Sequence, residues 1–81
     1  MVVELLNNII SDPDVCNGKP VIRGTRVTVQ AVMDMLLSGE SEPEILKSFP
    51  RISAVDIESC KTFTSQLLER PITIKPLRAA G

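Results

Sequence analysis

The pattern of hydrophobic and polar residues is ambiguous at the start of the chain. Residues 1–11 are largely apolar, and they fit either one face of a helix or an extended segment. The run Ile9-Ile10-Ser11 is typical of a short strand. We therefore expect a weak lead-in followed by a strand at 9–11.

Residues 12–27 are rich in residues that favour turns. Asn17-Gly18 lies between two short apolar stretches, and Asn-Gly suits a type I′ turn because both central positions need a positive φ. Pro20 has no backbone N–H to donate and therefore belongs at the edge of any sheet. We expect a short hairpin or an irregular β-arm here.

Three helices are predicted between residues 28 and 69. Thr28, Ser41 and Ser53 each precede apolar residues at helical spacing, as N-cap residues do. Ser41 and Glu44 have the spacing of a capping box. The helices are expected to end at residues that cap or stop helices, namely Gly39, Pro50 and Pro71.

The predicted fold class is therefore mostly α, a small trihelical helix-turn-helix domain with a short N-terminal β-arm. The second helix, a tight turn and the third helix have helix-turn-helix proportions. We divide the chain into a strand and turn-rich β-arm at 1–27, a trihelical unit at 28–69 and an extended tail at 70–81.

Composition and charge narrow the function. The 81 residues carry a net charge of −1 and include no Trp, no Tyr and two Phe. The chain has too few rings for a base-stacking platform and no global basic signal for nucleic acid, which leaves only a local basic face. With neither a signal peptide nor an apolar run of membrane-spanning length, we expect a cytoplasmic protein with reduced cysteines.

The turn-rich segment carries three candidate DNA contacts. Lys19, Arg23 and Arg26 place three positive charges within eight residues. Such charges serve as a phosphate clamp or as structural clips, because Arg bridges several acceptors at once. For Arg26 we favour the structural role, in which it pairs with an acidic group on the helical unit.

The helices contribute both candidate contacts and opposing charges. Lys47, Arg51 and Lys61 are further candidate DNA-binding residues, whereas Asp56 and Glu58 make the front of the third helix acidic. Acidic side chains repel phosphates and specify a base only by accepting from cytosine. A dimerisation or protein-docking role for the helical unit is therefore about as well supported as groove reading.

Nothing in the sequence predicts catalysis. It contains no His, and no nucleophile stands beside a recognisable base. Pro20 follows Gly18-Lys19 directly, unlike the Ser or Thr of a P-loop. Cys16 and Cys60 do not cluster as metal ligands do, and the nearby pair Asp12 and Asp14 is expected to cap a turn. We predict no enzyme activity, no cofactor and no metal.

Two stretches of the chain resemble a known bacterial family, called domain of unknown function 433. The resemblance is carried by the run from Cys16 to Val27, which includes Gly-Lys-Pro and Gly-Thr-Arg, and by the later residues Gly39, Ser41, Glu44-Ile45, Phe49-Pro50-Arg51-Ile52-Ser53 and Asp56-Ile57. Asn17 stands where many relatives have a second Gly. This departure is mild because Asn also tolerates a positive φ.

The resemblance implies a winged-helix or homeodomain-like fold and a VapB-like antitoxin role against a PIN-like ribonuclease toxin. On this hypothesis the trihelical unit forms a homodimer and is a candidate for binding operator DNA, while the tail occupies the toxin. Ile72 and Ile74 would add a strand to the toxin, and Lys75 and Arg78 would enter its acidic metal site. A disordered terminus is an equally weighted alternative for the tail. The alternative for the whole chain is a protein-interaction or dimerisation domain without nucleic-acid binding.

Overall fold

The N-terminal part of the chain forms a three-stranded antiparallel sheet. The strands are β1 (Val3–Leu6), β2 (Ile9–Ser11) and β3 (Val21–Ile22), in the order β1-β2-β3. The computed structural model describes residues 1–69. The tail predicted at 70–81, with its candidate toxin contacts Ile72, Ile74, Lys75 and Arg78, lies outside these described residues.

Three helices follow the sheet. They are α1 (Val29–Leu37), α2 (Glu42–Ser48) and α3 (Ala54–Glu69). None of them combines the length and the apolar character that crossing a membrane requires.

The prediction of a mostly α, trihelical helix-turn-helix domain with a β-arm is wrong, because the sheet is part of the core of a mixed α/β fold. Ile9 and Ile22 are cross-strand partners with exposed fractions of 0% and 2%. Both belong to one apolar cluster with Val32 of α1, Ile45 of α2 and Ile57 of α3. Strands of two to four residues are too short for their periodicity to reveal this burial in the sequence.

The strand predicted at 9–11 is confirmed as β2, and β1 occupies the position of the expected weak lead-in. The turn predicted at Asn17-Gly18 is confirmed, and Lys19 N closes it by donating to Cys16 O at 3.2 Å, but the predicted hairpin does not form around it. Asn17 and Gly18 do have positive φ, at +57° and +81°, but β3 pairs with the aliphatic β2 rather than with the residues just before the turn. The observed register buries Ile9 opposite Ile22. Pairing of β3 with residues 14–16 would instead bring polar positions to the face on which these isoleucines are buried.

The turn-rich loop between β2 and β3 is held by side-chain hydrogen bonds. Asp12 Oδ1 accepts from Asp14 N at 2.9 Å, the turn cap that the sequence predicted. Ser11 Oγ donates to Gly18 O at 2.6 Å, and Cys16 Sγ donates to Arg26 O at 3.5 Å. The last two hydrogen bonds therefore hold the loop against β2, through Ser11, and against the segment that follows β3, through Arg26.

The predicted helix boundaries are confirmed by their caps. Thr28 Oγ1 accepts from Ala31 N at 3.0 Å at the start of α1. After α1, Gly39 has φ +91°, and hydrogen bonds from Gly39 N to Leu36 O and from Glu40 N to Met35 O form a Schellman motif.

Ser41 and Glu44 form the predicted capping box at the start of α2. Hydrogen bonds from the backbone and side chain of Ser41 hold the pKa of Glu44 below its usual value. The ionised Glu44 carboxylate therefore stabilises the start of α2 fully at pH values above the ordinary pKa of a glutamate. This stabilisation is lost as the pH falls through the lowered pKa.

Asp56 connects the start of α3 to the turn between β1 and β2. Its Oδ2 accepts from the backbone N of Ser53 at 2.9 Å and from Ser53 Oγ at 3.3 Å. Its Oδ1 accepts from the side-chain amide of Asn8. One carboxylate therefore caps a helix and fixes that helix against the sheet.

We expect Asp56→Ala to lower the free energy of unfolding by about 1–3 kcal/mol, because it removes a cap and leaves Asn8 without its partner. Glu58→Ala is the matched control, since Glu58 is an exposed carboxylate on the same helix; its effect should stay within about 0.5 kcal/mol. Urea unfolding followed by circular dichroism measures both. Equal effects of the two substitutions would contradict this role of Asp56.

The two cysteines differ in environment. Cys60 is fully buried in the core, and Cys16 is half-buried in the loop. Burial, and to a smaller extent the nearby charge of Asp56, raises the pKa of Cys60 to about 11 from 9.0. The folded state keeps this proton at a pH where the unfolded state loses it, so this thiol lowers stability as the pH rises from about 9 to about 11.

Native protein treated with a thiol reagent at mildly alkaline pH should therefore show one fast-reacting thiol, Cys16. Cys60 should react only as fast as the protein unfolds. Mass spectrometry of the labelled peptides over time measures the two rates. Cys16→Ser serves as the control, because it should abolish the fast phase alone. Similar rates at both cysteines would show that the core is not closed around Cys60.

Candidate binding groove at the turn between α2 and α3

The loop between β3 and α1 is held in one shape by hydrogen bonds. Gly24 has φ +80° in a turn that Thr25 N closes by donating to Ile22 O at 3.0 Å. A positive φ at this third position is typical of a type II turn and favours glycine. Thr25 Oγ1 donates to Ile22 O at 2.8 Å and accepts from Val27 N at 3.0 Å. This network fixes the backbone on both sides of Arg26 and therefore the position from which its side chain extends.

An open groove of about 730 Å³ lies between this loop and the segment that joins α2 to α3. Its apolar surface comes from both sides and includes Val15, Val27, Ala31, Phe49 and Pro50. Arg26, Arg51 and Asp12 also line it. The groove therefore combines an apolar lining with two arginines and one carboxylate.

Arg51 connects the two walls of the groove. Its Nη2 donates to Gly24 O at 3.4 Å, a long hydrogen bond from the α2–α3 turn to the β3–α1 loop. The guanidinium keeps its remaining donors for another ligand, since Arg carries five N–H groups. Arg51 can thus take part in the fold and in binding at the same time.

The six candidate DNA contacts fall into two groups in the structure. Arg23 forms an ion pair with Glu4 of β1 and donates to Asn7 O at 3.3 Å. Lys61 pairs with Glu58 at 3.0 Å and with Glu42 at 3.4 Å. Hydrogen bonding to Glu58, followed by that carboxylate's charge, raises the pKa of Lys61. The charges of Arg23 and Lys61 are therefore compensated within the chain.

The other four candidates are exposed and form no ion pair with residues 1–69; they are Lys19, Arg26, Lys47 and Arg51. The expected pairing of Arg26 with an acidic group is not found within the described part of the chain. Arg26 and Arg51 line the groove, and Lys47 directly precedes Ser48, which also lines it. We call Arg26, Lys47 and Arg51 the basic edge.

The acidic front of α3 is partly compensated. Asp56 accepts hydrogen bonds from Ser53 and Asn8, and Glu58 accepts one from Lys61. These contacts reduce the repulsion that the sequence alone leads one to expect toward phosphates. Exposed Val55, on the other hand, adds an apolar position to the first turn of α3.

A second groove, of about 320 Å³, lies between the start of α1 and the second half of α3. Met33, Phe63 and Leu67 provide most of its apolar character, and Lys19 lies at its margin. Lys19 is thus not among the residues that line the groove of Arg26 and Arg51.

The groove was missed by sequence reasoning, although its polar residues were named as candidates. The two stretches that line it share one feature that is visible in the sequence. In Gly24-Thr25-Arg26 and in Phe49-Pro50-Arg51, a residue that favours turns stands one or two positions before an arginine. That the two stretches meet depends on tertiary packing. No group of three or more His, Cys, Asp or Glu within residues 1–69 is arranged to hold a metal ion.

Comparisons with known proteins agree with the position of these stretches. Residues 9–64 match the family described as "Protein of unknown function (DUF433)", and this range includes both stretches that line the groove. The chain is also 39% identical over 49 residues to the uncharacterized protein y4eO of Sinorhizobium fredii (strain NBRC 101917 / NGR234). That similarity covers 60% of this chain and 22% of the relative, so the chain spans about a fifth of that longer protein. No solved structure matches the chain. Because the family match extends over more than half of its length, this chain belongs to the DUF433 family.

Proposed function

We propose that this chain is an antitoxin-like recognition module that binds DNA through the basic edge and a PIN-like toxin through residues 70–81. The observation that carries the DNA part is the basic edge itself. Arg26, Lys47 and Arg51 are exposed, they have no carboxylate partner inside residues 1–69, and they line or adjoin the groove at the turn between α2 and α3.

The basic edge supports backbone contact more than base reading. Arg and Lys contacts to phosphates position a protein on the duplex but carry no sequence information. The exposed residues at the front of α3, Ala54 and Val55, offer apolar contact to a thymine methyl group and few hydrogen bonds to base edges. We therefore expect modest affinity with a strong electrostatic component.

A protein-interaction domain without nucleic-acid binding is the second candidate, and the apolar groove favours it. Phosphates gain nothing from an apolar lining such as Val27, Ala31 and Phe49 provide, whereas a protein segment buries apolar side chains there. The net charge of −1 points the same way. In this case Arg26 and Arg51 would bind carboxylates of the partner.

The DNA part predicts a steep salt dependence on duplex DNA taken from upstream of the gene. Each phosphate contact contributes a slope of roughly 0.9 in a plot of log affinity against log salt. Arg26→Ala and Lys47→Ala should each weaken binding uniformly across sequences and lower the slope by about 1. Fluorescence anisotropy across a salt series measures both quantities.

Arg23→Ala is the matched control, because it removes an arginine whose charge Glu4 already compensates. It should change affinity and slope much less than Arg26→Ala does. If the unmodified protein fails to bind this DNA even at low salt, the DNA part is wrong and the protein-interaction candidate stands. If Arg23→Ala weakens binding as much as Arg26→Ala, the basic edge is not the contact surface.

The toxin part predicts that residues 72–81 are required for neutralisation. Lys75 and Arg78 would complement the carboxylates of a metal-dependent nuclease, and Ile72 and Ile74 would add main-chain pairing. Deleting 72–81 should abolish inhibition of a PIN-like nuclease encoded beside this chain. The unfolding midpoint should stay unchanged, because the buried core described above lies within residues 9–63.

Deletion of residues 79–81 alone is the control for this experiment. It removes Ala79, Ala80 and Gly81 and retains all four proposed toxin contacts, so inhibition should persist. Nuclease activity on a labelled RNA, measured with each version of the chain, gives the answer. Full inhibition by the chain that lacks 72–81 would disprove the proposed role of this segment.

A further inference from the structure

β1 is an edge strand whose outer side is open. Within residues 1–69 it pairs with β2 alone, whereas the opposite edge of the sheet is followed by a bridge between Val21 of β3 and Thr28. An open edge presents backbone N–H and C=O groups to any strand that approaches.

Exposed aliphatic side chains are concentrated at this edge. Eight large hydrophobic residues of the described chain are exposed, and half of them belong to β1 or precede it directly; these four are Met1, Val2, Val3 and Leu5. Val2, Val3 and Leu5 have exposed fractions of 53%, 47% and 38%. Apolar surface collected beside an open edge marks an interaction site.

Charge does little to protect the edge. Glu4 is the one ionisable side chain in β1, and Arg23 of the same chain already binds it. Proteins that keep an edge strand monomeric commonly place Lys or Pro there, and β1 has neither. Its protection consists of its short length and the irregularity between Glu4 and Leu6, where Leu5 has no partner in β2.

We propose that β1 pairs antiparallel with β1 of a second copy of this chain, which would join two three-stranded sheets into one of six strands. Antiparallel pairing of a strand with itself follows a two-fold axis, so one surface serves both partners. An aliphatic strand without uncompensated charge suits this edge, and β1 of a second copy has both properties. This inference does not rest on DNA or toxin binding.

The short strand limits the strength of this dimer. Four residues of pairing and the side chains beside them bury less than the roughly 800 Å² per partner of a standard stable interface. The dimer should therefore be reversible and should form as the protein concentration rises.

Light scattering across a concentration series tests the proposal on the full chain. The unmodified protein should rise from 8.9 kDa toward twice that mass. Val3→Lys adds a charge to the edge and should remain monomeric throughout. Val55→Lys is the matched control, because it makes the same change at an exposed valine of α3, and it should dimerise like the unmodified protein.

Hydrogen exchange gives a second measurement that does not depend on a substitution. The backbone amides of residues 3–6 should exchange more slowly at high than at low protein concentration, while those of α2 should not change. If Val3→Lys fails to fold, Val2→Lys replaces it, since Val2 precedes the strand. An unmodified protein that stays monomeric at every concentration would overturn the proposal. A dimer that persists in Val3→Lys, or in Val2→Lys where that variant replaces it, would also overturn the proposal. So would a dimer that Val55→Lys abolishes.

Discussion

Burial of one face of the small sheet against the helices is the interaction on which the rest of the structure depends. Ile9 and Ile22 belong to one apolar cluster with residues of all three helices, and strands or helices as short as β2, β3, α1 and α2 do not persist alone in water. Burying each such side chain contributes roughly 1.5–3 kcal/mol. The sheet and the helices therefore stabilise each other and cannot be treated as an arm attached to a separate domain.

This packing also determines where the candidate functional residues lie. The sheet fixes the end of β3, the hydrogen-bonded loop after Ile22 fixes Arg26, and the packing of α2 brings Arg51 to the opposite side of the same groove. Asp56 holds α3 to the β1–β2 turn through Asn8. Because hydrogen bonds hold the loop before Arg26 and join Arg51 to it, a ligand in the groove would meet a backbone that is already ordered.

Internal ion pairs decide which charges remain for a partner. Glu4 compensates Arg23, and Glu42 with Glu58 compensates Lys61, so two of the six cations within residues 1–69 are compensated inside the chain. Exposed pairs of this kind contribute little stability. Their larger effect is on the electrostatic surface, since within residues 1–69 they leave Arg26, Lys47 and Arg51 as the uncompensated positive charges beside the groove.

The sequence by itself determined the features whose causes are local. The caps at Thr28, Ser41 and Ser53 and the glycine after α1, Gly39, follow from interactions within a few residues, and each was predicted from spacing. The tertiary structure alone decided that β3 pairs with β2, that the sheet belongs to the core, and that two distant arginines share a groove. These outcomes depend on burial between segments far apart in the chain. Strands of two to four residues are too short for their hydrophobic pattern to predict that burial.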